Sequence, residues 1–413
     1  SLPRAWAVET GATRRVTVAV IDTGIRFDHP DLGPNALPGW DFVDNDPDPT
    51  DDPAVSNDLG GRSHGTHVAG TIAAVTDNAM GVAGVNWAAR ILPVRVLDSS
   101  LRGTYSRIAE AIVWSVDNGA EVINLSLSGT AEPGPVLRSA VQYALAAGVT
   151  VVAAAGNSSN NTAVAPEYPA SLPGVISVSA TGGNNEAALY SNYGPDVTLA
   201  APGGSEFTRK IMSTDYSAQA PEVLDAYTTM QGTSMATPHV AGVVSLLLAA
   251  RGPMPPADVA ALLRDTSHDL GEDGRDDTFG AGLVNAYAAL VEATMDRALF
   301  WVLTEDGQPA SSGAYGLRDR VFRIENAQPG QHQLVGWLDV NDNATVDEGD
   351  FFGAAPITVA PDTPIIHPGR LELAPVRAGA GGAVAAAGGA AAAARAIEAL
   401  AAGLRAGGAA PAR

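Results

Sequence analysis

The chain has no cysteine among its 413 residues, which excludes disulfides, thiolate nucleophiles and thiolate-held metals. A large core can do without such staples, so export remains compatible with that absence. Positive charge is also scarce: 24 Lys and Arg stand against 45 Asp and Glu, a formal net charge of −21. So acidic a chain argues against nucleic acid as a partner and for metal cations. No uninterrupted apolar run reaches the roughly 18 residues of a membrane span, so a soluble chain with no membrane partner is expected. The sequence starts at Ser1 without Met or a signal segment, and a processed or trimmed form is expected. Apolar residues, at 46%, are ample for a globular interior. The length exceeds one ordinary core, so about two domains plus a tail are expected.

The β-branched run at 15–21 ends in Asp22-Thr23-Gly24 and reads as a buried strand stopped by a turn. That puts the Asp22 carboxylate at a strand's carboxyl end, where open α/β sheets place their ligands. Residues 40–52, crowded with Asp and Pro, read as a loop. His64 then sits in the first turn of a small-residue helix. Strands are expected at 90–97, 121–127, 149–154, 175–178 and 197–200, with helices at 106–118, 136–147, 256–265 and 282–291. This alternation predicts an α/β domain over 1–295, a mostly parallel doubly wound sheet with helices on both faces. Short alternating runs at 299–303, 320–324 and 331–338 suggest a small antiparallel β-sandwich-like domain over 296–375. Residues 376–413 are nearly all Ala and Gly and, with so little to bury, read as a flexible tail.

Around Ser234 a Gly-Thr-Ser lead-in meets a long apolar run, so Ser234 opens a helix buried on all sides. Pro238 is expected in the first turn, where its missing N–H costs nothing. Four polar residues thereby fall at equivalent edges of one sheet: Asp22 after a strand, His64 opening a helix, Asn157 after a strand, and Ser234. Their types match nucleophilic acyl transfer. Ser234 needs a base, His64 can be that base, Asp22 can fix its tautomer, and Asn157 has amide donors for an oxyanion. His64 and His67 also form a possible metal pair. The intervening Gly65 and Thr66 supply neither a third ligand nor the Glu of a zinc peptidase, so His67 is expected beneath the site.

These residues stand in four blocks: Ala19-Val20-Ile21-Asp22-Thr23-Gly24, His64-Gly65-Thr66-His67-Val68-Ala69-Gly70, Ala154-Ala155-Gly156-Asn157 and Gly232-Thr233-Ser234-Met235-Ala236-Thr237-Pro238-His239. Together they resemble the subtilisin-like serine peptidases, from residue 2 to about residue 291. The run Gly39-Trp40-Asp41-Phe42-Val43-Asp44-Asn45-Asp46 is similar to the family's thermitase-like branch. The resemblance implies a secreted endopeptidase acting on proteins and peptides, monomeric and matured from an N-terminal propeptide. It makes Asp22, His64 and Ser234 the triad and Asn157 the oxyanion donor. It also implies that a peptide lies as an added strand between Gly103-Thr104-Tyr105 and Ser126-Leu127-Ser128, main-chain bonding that gives broad specificity. Ala154, Ala155 and Gly156 would wall the first specificity pocket, and Glu167 aligns with its floor. A carboxylate there would favour Arg or Lys beside large apolar residues; the alternative is that Glu167 turns to solvent.

Calcium is the expected cofactor, at three places. Asp41, Asp44, Asp46 and Asp48 crowd eight residues, and an oxygen-coordinated cation would relieve their repulsion. The resemblance implies a second site from Asp31 with Asn78 and the backbone oxygens of Val75, Met80 and Val82. A third, EF-hand-like spacing runs through Asp339, Asn341, Asn343, Thr345, Asp347 and Asp350, weakened by Ala344 at the usual glycine and by Asp350 in place of Glu.

Overall fold

The computed structural model describes residues 2–51, 63–159, 164–216, 226–294, 298–303, 309–316, 321–324, 329–338, 351–359 and 374–375. Contacts divide the chain into two units, Ser1–Leu290 and Val291–Arg413.

From the N-terminus the elements are α1 (Leu2–Trp6), β1 (Thr17–Asp22), β2 (Trp40–Asp41), α2 (His64–Ala73), β3 (Arg90–Arg95), α3 (Tyr105–Asp117), β4 (Val122–Leu125), α4 (Pro135–Ala146) and β5 (Thr150–Ala154). They continue with β6 (Ile176–Thr181), β7 (Leu199–Pro202), β8 (Ile211–Thr214), β9 (Tyr227–Met230), α5 (Thr233–Arg251), α6 (Pro256–Thr266) and α7 (Ala286–Thr294). Seven strands form one parallel sheet in the order β2-β3-β1-β4-β5-β6-β7. A parallel sheet is covered on both faces, which is why these strands are continuous apolar runs and why every residue of β1 is buried. Ala19 and Ile21 of β1 pack with Ile108 and Ile112 of α3 and with Leu137 and Val141 of α4. Helices α2 and α5 pack on each other, and α5 runs against β4 to β7. The expected doubly wound α/β architecture is what the chain adopts.

By length and composition α5 is apolar enough to cross a membrane, although no unbroken apolar run is that long. Yet 89% of its 18-residue window is buried inside the unit. Its polar groups are satisfied locally, Thr237 donating to the Thr233 carbonyl at 2.8 Å and Ser245 to that of Gly242 at 2.7 Å. It is a core helix.

Three local expectations need correcting. Trp40 and Asp41, read as loop from their Asp- and Pro-rich surroundings, pair with Val94 and Arg95 as the edge strand β2. The last helix of the unit begins at Ala286 and not at Gly282, because Leu283 and Val284 are spent on backbone bonds to His268 and Ala200. Pro238 is the sixth residue of α5 and lies inside the helix, so its missing N–H leaves the Ser234 carbonyl without its intrahelical donor.

The second unit holds a six-stranded antiparallel sheet: β10 (Ala298–Leu303), β11 (Pro309–Gly316), β12 (Val321–Ile324), β13 (Gly330–Leu338), β14 (Phe351–Val359) and β15 (Ala374–Pro375). Their order is β12-β11-β10-β13-β14-β15. Val302, Leu334, Val335, Trp337 and Leu338 are buried. A second layer, as a sandwich requires, is not among the described residues. The Ala/Gly-rich 376–413 and the acidic stretch 339–350 lie outside them.

Candidate active site

The carboxyl edge of the parallel sheet gathers the four polar residues. Asp22 ends β1, fully buried. Its Oδ1 accepts from the Thr23 N–H and from His64 Nδ1, both at 2.7 Å. An ionised carboxylate only accepts, so Nδ1 carries the proton and Nε2 keeps its lone pair. Gly65 permits this approach: a Cβ there would sit 2.2 Å from the Gly24 carbonyl and 3.1 Å from Asp22 Cβ. Burial by itself would lower the His64 pKa. The charge and hydrogen bond of Asp22, and more weakly the charge of Asp51, outweigh it and raise the value above 6.5.

Ser234 is the second residue of α5. Asn124 and Ser126 tie it to the end of β4. Asn124 Nδ2 donates to Ser126 Oγ at 3.0 Å, and Ser126 Oγ donates at 2.8 Å to the Ser234 carbonyl that Pro238 leaves open. In return Ser234 Oγ donates to the Ser126 carbonyl at 3.2 Å. No hydrogen bond joins Ser234 to His64 among the described residues. Ser126 is thus 2% exposed and faces α5, although Leu127 and Ser128 continue along the expected edge.

Asn157 is placed from the same helix start. Its Oδ1 accepts from Thr233 N–H at 2.9 Å and Thr233 Oγ1 at 3.0 Å. Two donors on one atom identify that atom as the amide oxygen and leave the NH2 to face outward. Gly156, at φ +109°, allows the turn out of β5; a Cβ would meet Asn192 Nδ2 at 2.4 Å and Glu167 Cδ at 2.9 Å. Ala154 and Ala155 line the same wall, buried.

Glu167 points inward, which removes the solvent-facing alternative. It is 9% exposed. Ser128 Oγ donates to one carboxylate oxygen at 2.6 Å; Ser158 Oγ at 2.8 Å and Asn192 Nδ2 at 3.3 Å donate to the other. The Glu167 N–H binds the Ala155 carbonyl, and Tyr168 pairs with Gly129, so this segment joins the two walls of the pocket. Tyr105 spans the expected cleft edges, its hydroxyl donating to the Ala131 carbonyl at 2.7 Å; burial, then the Glu167 charge, raise its pKa. Gly103 is exposed beside it.

His67 is fully buried beneath the site, its Nε2 on the Ile211 carbonyl at 3.0 Å. Burial, and then the proximity of His64, push its pKa down to about 3, so it stays neutral. With His64 Nδ1 committed to Asp22, the metal-pair reading has no support.

The acidic loops fit a cation unequally. Among the described residues no group of three or more His, Asp or Glu side chains converges as a metal site. Arg95 Nη1 donates to both Asp41 at 2.5 Å and Asp44 at 2.7 Å, already offsetting that repulsion. Asp48 accepts from Thr50, and Asp46 from the Asp48 N–H. Asp31 differs. It is fully buried with no ion pair among the described residues, and its carboxylate accepts from Asn78 Nδ2 at 2.6 Å and the Val82 N–H at 3.2 Å. Its own carbonyl binds the Val75 N–H, and Met80 N–H binds Asn78, which folds that loop around the carboxylate. The Tyr227 hydroxyl lies buried beside Asp31, its pKa pushed up to about 12 by burial and by the charge and proximity of that carboxylate. A buried carboxylate served by neutral donors is the environment that a calcium ion would complete. The candidate ligands from Asp339 to Asp350 lie outside the described residues.

Sequence reasoning missed Ser158 and Asn192 on Glu167, Arg95 on the acidic loop, and Asp51 behind His64. None belongs to a motif, and each is found only through the fold.

Residues 13–282 match the subtilase family. Over 289 residues the chain is 42% identical to thermitase of Thermoactinomyces vulgaris, covering 70% of this chain and 92% of that protein. It is 40% identical to an extracellular protease of Xanthomonas campestris pv. campestris, covering 70% of this chain and 53% of the relative. Among solved structures, one described as proteases from Pseudoalteromonas arctica PAMC 21717 aligns with a TM-score of 0.63 at 39% identity, covering 71% of this chain and 93% of the other.

Proposed function

Since the chain belongs to the subtilase family and is a subtilisin-like serine peptidase, we propose that Ser234 is its nucleophile, His64 the general base, Asp22 the residue that orients His64, and Asn157 the oxyanion donor. The observation that carries this reading is the 2.7 Å bond from His64 Nδ1 to Asp22. With that proton held, the Nε2 lone pair is the basic one. In this mechanism Ser234 Oγ exchanges its bond to the Ser126 carbonyl for one to Nε2. Oγ then attacks the scissile carbonyl carbon, its proton passes to Nε2, and Asn157 donates to the oxygen as it becomes an anion. His64 next protonates the leaving amine, and water repeats the steps to release the acyl group. A fluorophosphonate probe is expected to label Ser234, seen by mass spectrometry of the tryptic peptide. An unlabelled wild-type chain, or label persisting in Ser234→Ala, would sink the assignment.

Substrates are proteins and peptides bound as an added strand, with broad specificity and basic residues accepted beside large apolar ones. The inward Glu167 carboxylate supports the second part. A charge-assisted bond of about 1.5–3 kcal/mol makes Glu167→Gln lower kcat/KM for Arg- and Lys-ending substrates by roughly 10- to 100-fold, with Phe-ending substrates changed less than about twofold. Equal losses for both classes would count against the pocket assignment.

Calcium stabilises the enzyme in this reading, held by Asp31, Asn78 and the carbonyls of Val75, Met80 and Val82. At the Asp41 to Asp48 loop Arg95 competes with it. Its contribution is structural charge compensation. Excess chelator is expected to lower Tm by about 5–10 °C, as for a ligand at about 100 times its Kd. An unmoved calorimetric transition would remove calcium from the account. Secretion, maturation from a propeptide and monomeric action complete the proposal; the name of the Xanthomonas relative supports the first.

A further inference from the structure

A second carboxylate stands behind the imidazole. Asp51 is 2% exposed, and its Oδ2 accepts from the Thr66 N–H at 3.1 Å and the Thr66 hydroxyl at 2.9 Å. Thr66 is the third residue of α2, whose first is His64. The opening N–H groups of a helix have no intrahelical acceptor, and Ser63 makes no side-chain cap. Asp51 supplies that cap from a different segment, while Thr23 Oγ1 takes the Gly65 N–H at 2.9 Å. The first turn of α2 is therefore tied to the residue that follows Asp22 and to the loop after β2, while its N-cap Ser63 is held by Asp215 at 2.8 Å and by the Tyr216 carbonyl at 2.9 Å. Asp51 is anchored in turn, its N–H donating to the Ile25 carbonyl at 3.0 Å. The charged and titratable groups around this turn are Asp22 on β1, Arg26 in the segment after it, His64 and His67 on α2, His239 on α5, and the buried Asp215 after β8, whose Oδ1 accepts from the Ser63 N–H at 2.8 Å. Arg26 is paired with Asp28 at 2.7 Å and stacked 3.5 Å over Tyr216; its charge also attracts that of Asp51, and its backbone N–H donates to the Thr66 hydroxyl at 3.2 Å.

We propose that Asp51 is a positioning residue for the peptidase reaction: it fixes the first turn of α2 so that His64 meets Asp22, and its negative charge supports the imidazolium formed when His64 takes the serine proton. The proposal rests on the roles assigned to His64 and Ser234 above. Asp51 exchanges no proton in the cycle; the serine proton goes to Nε2 and from there to the leaving amine. Burial, reinforced by the charge of Asp22 and opposed by the Thr66 bonds, pushes the Asp51 pKa up to about 7. Its support therefore grows as pH rises through neutrality, over the range in which His64 becomes available as a base.

Asp51→Asn removes the charge and keeps an amide oxygen for Thr66. It is expected to lower kcat about three- to tenfold with KM within about twofold, since the group touches no substrate. In a Ser234→Ala background, NMR titration of His64 is expected to move down by about half a unit to one unit. A purely structural cap would leave that titration in place. A folded Asp51→Asn chain with unchanged His64 titration and unchanged kcat overturns the proposal. If that variant does not fold, Thr66→Val removes one donor from Asp51 while keeping the backbone bond, and the His64 titration is expected to move the same way by less; no movement overturns it equally. Labelling of wild-type Ser234 separates the two levels. An unlabelled wild type rejects the catalytic reading itself, whereas labelled wild type with an unmoved His64 rejects Asp51 alone.

Discussion

His64→Ala lowers kcat by about a millionfold, the magnitude that subtilisins themselves show for loss of this residue type, with the fold retained. Among the described residues the side chain makes one hydrogen bond, to Asp22, so its removal is expected to cost catalysis far more than stability. Ser234→Ala gives a similar loss and the double variant little more, because nucleophile and base act as one unit. The wild-type pH profile carries the same information. Asp22 holds the His64 pKa above its ordinary value, so the protonated, inactive form persists to higher pH. The kcat/KM curve should thus rise with a midpoint above 6.5, and that rise should vanish in His64→Ala. Residual activity above about one per cent in a chain with native circular dichroism would be incompatible with general-base catalysis by this residue.

The second large effect belongs to Asn157→Asp, expected to cost at least 10²- to 10³-fold in kcat, the range reported for an oxyanion donor of a subtilisin. The substitution is informative because the two ends of this side chain have separate tasks. Oδ1 holds Thr233 at the start of α5, and Asp keeps that acceptor. Nδ2 is the end that faces outward, and Asp replaces its donor with a negative oxygen where negative charge must develop. Loss of kcat with KM and Tm little changed assigns Nδ2 to the transition state. A matching fall in Tm with modest loss of kcat would instead make Asn157 a cap for α5.

Asp22, His64, Asn157 and Ser234 were legible because each sits at the junction of a short element, and the local apolar pattern predicts those junctions. The doubly wound sheet followed from the same alternation. Features created by approach between distant segments were not legible. Trp40 and Asp41 look like loop until Val94 and Arg95 lie beside them. Asp51 is one Asp in an acidic stretch until folding presses it against Thr66. The inward turn of Glu167 depends on Ser128, Ser158 and Asn192, from three separate segments. Pro238 was legible as a helix residue, but its consequence for Ser126 needed the end of β4 to be in place.

Because α5 is buried along nearly its whole length, the amides of its middle turns can meet solvent only when the unit as a whole opens. The Ser234 hydroxyl is therefore mounted on an element expected to open together with the rest of the unit. On heating, such an arrangement loses chemical competence and compactness in a single step.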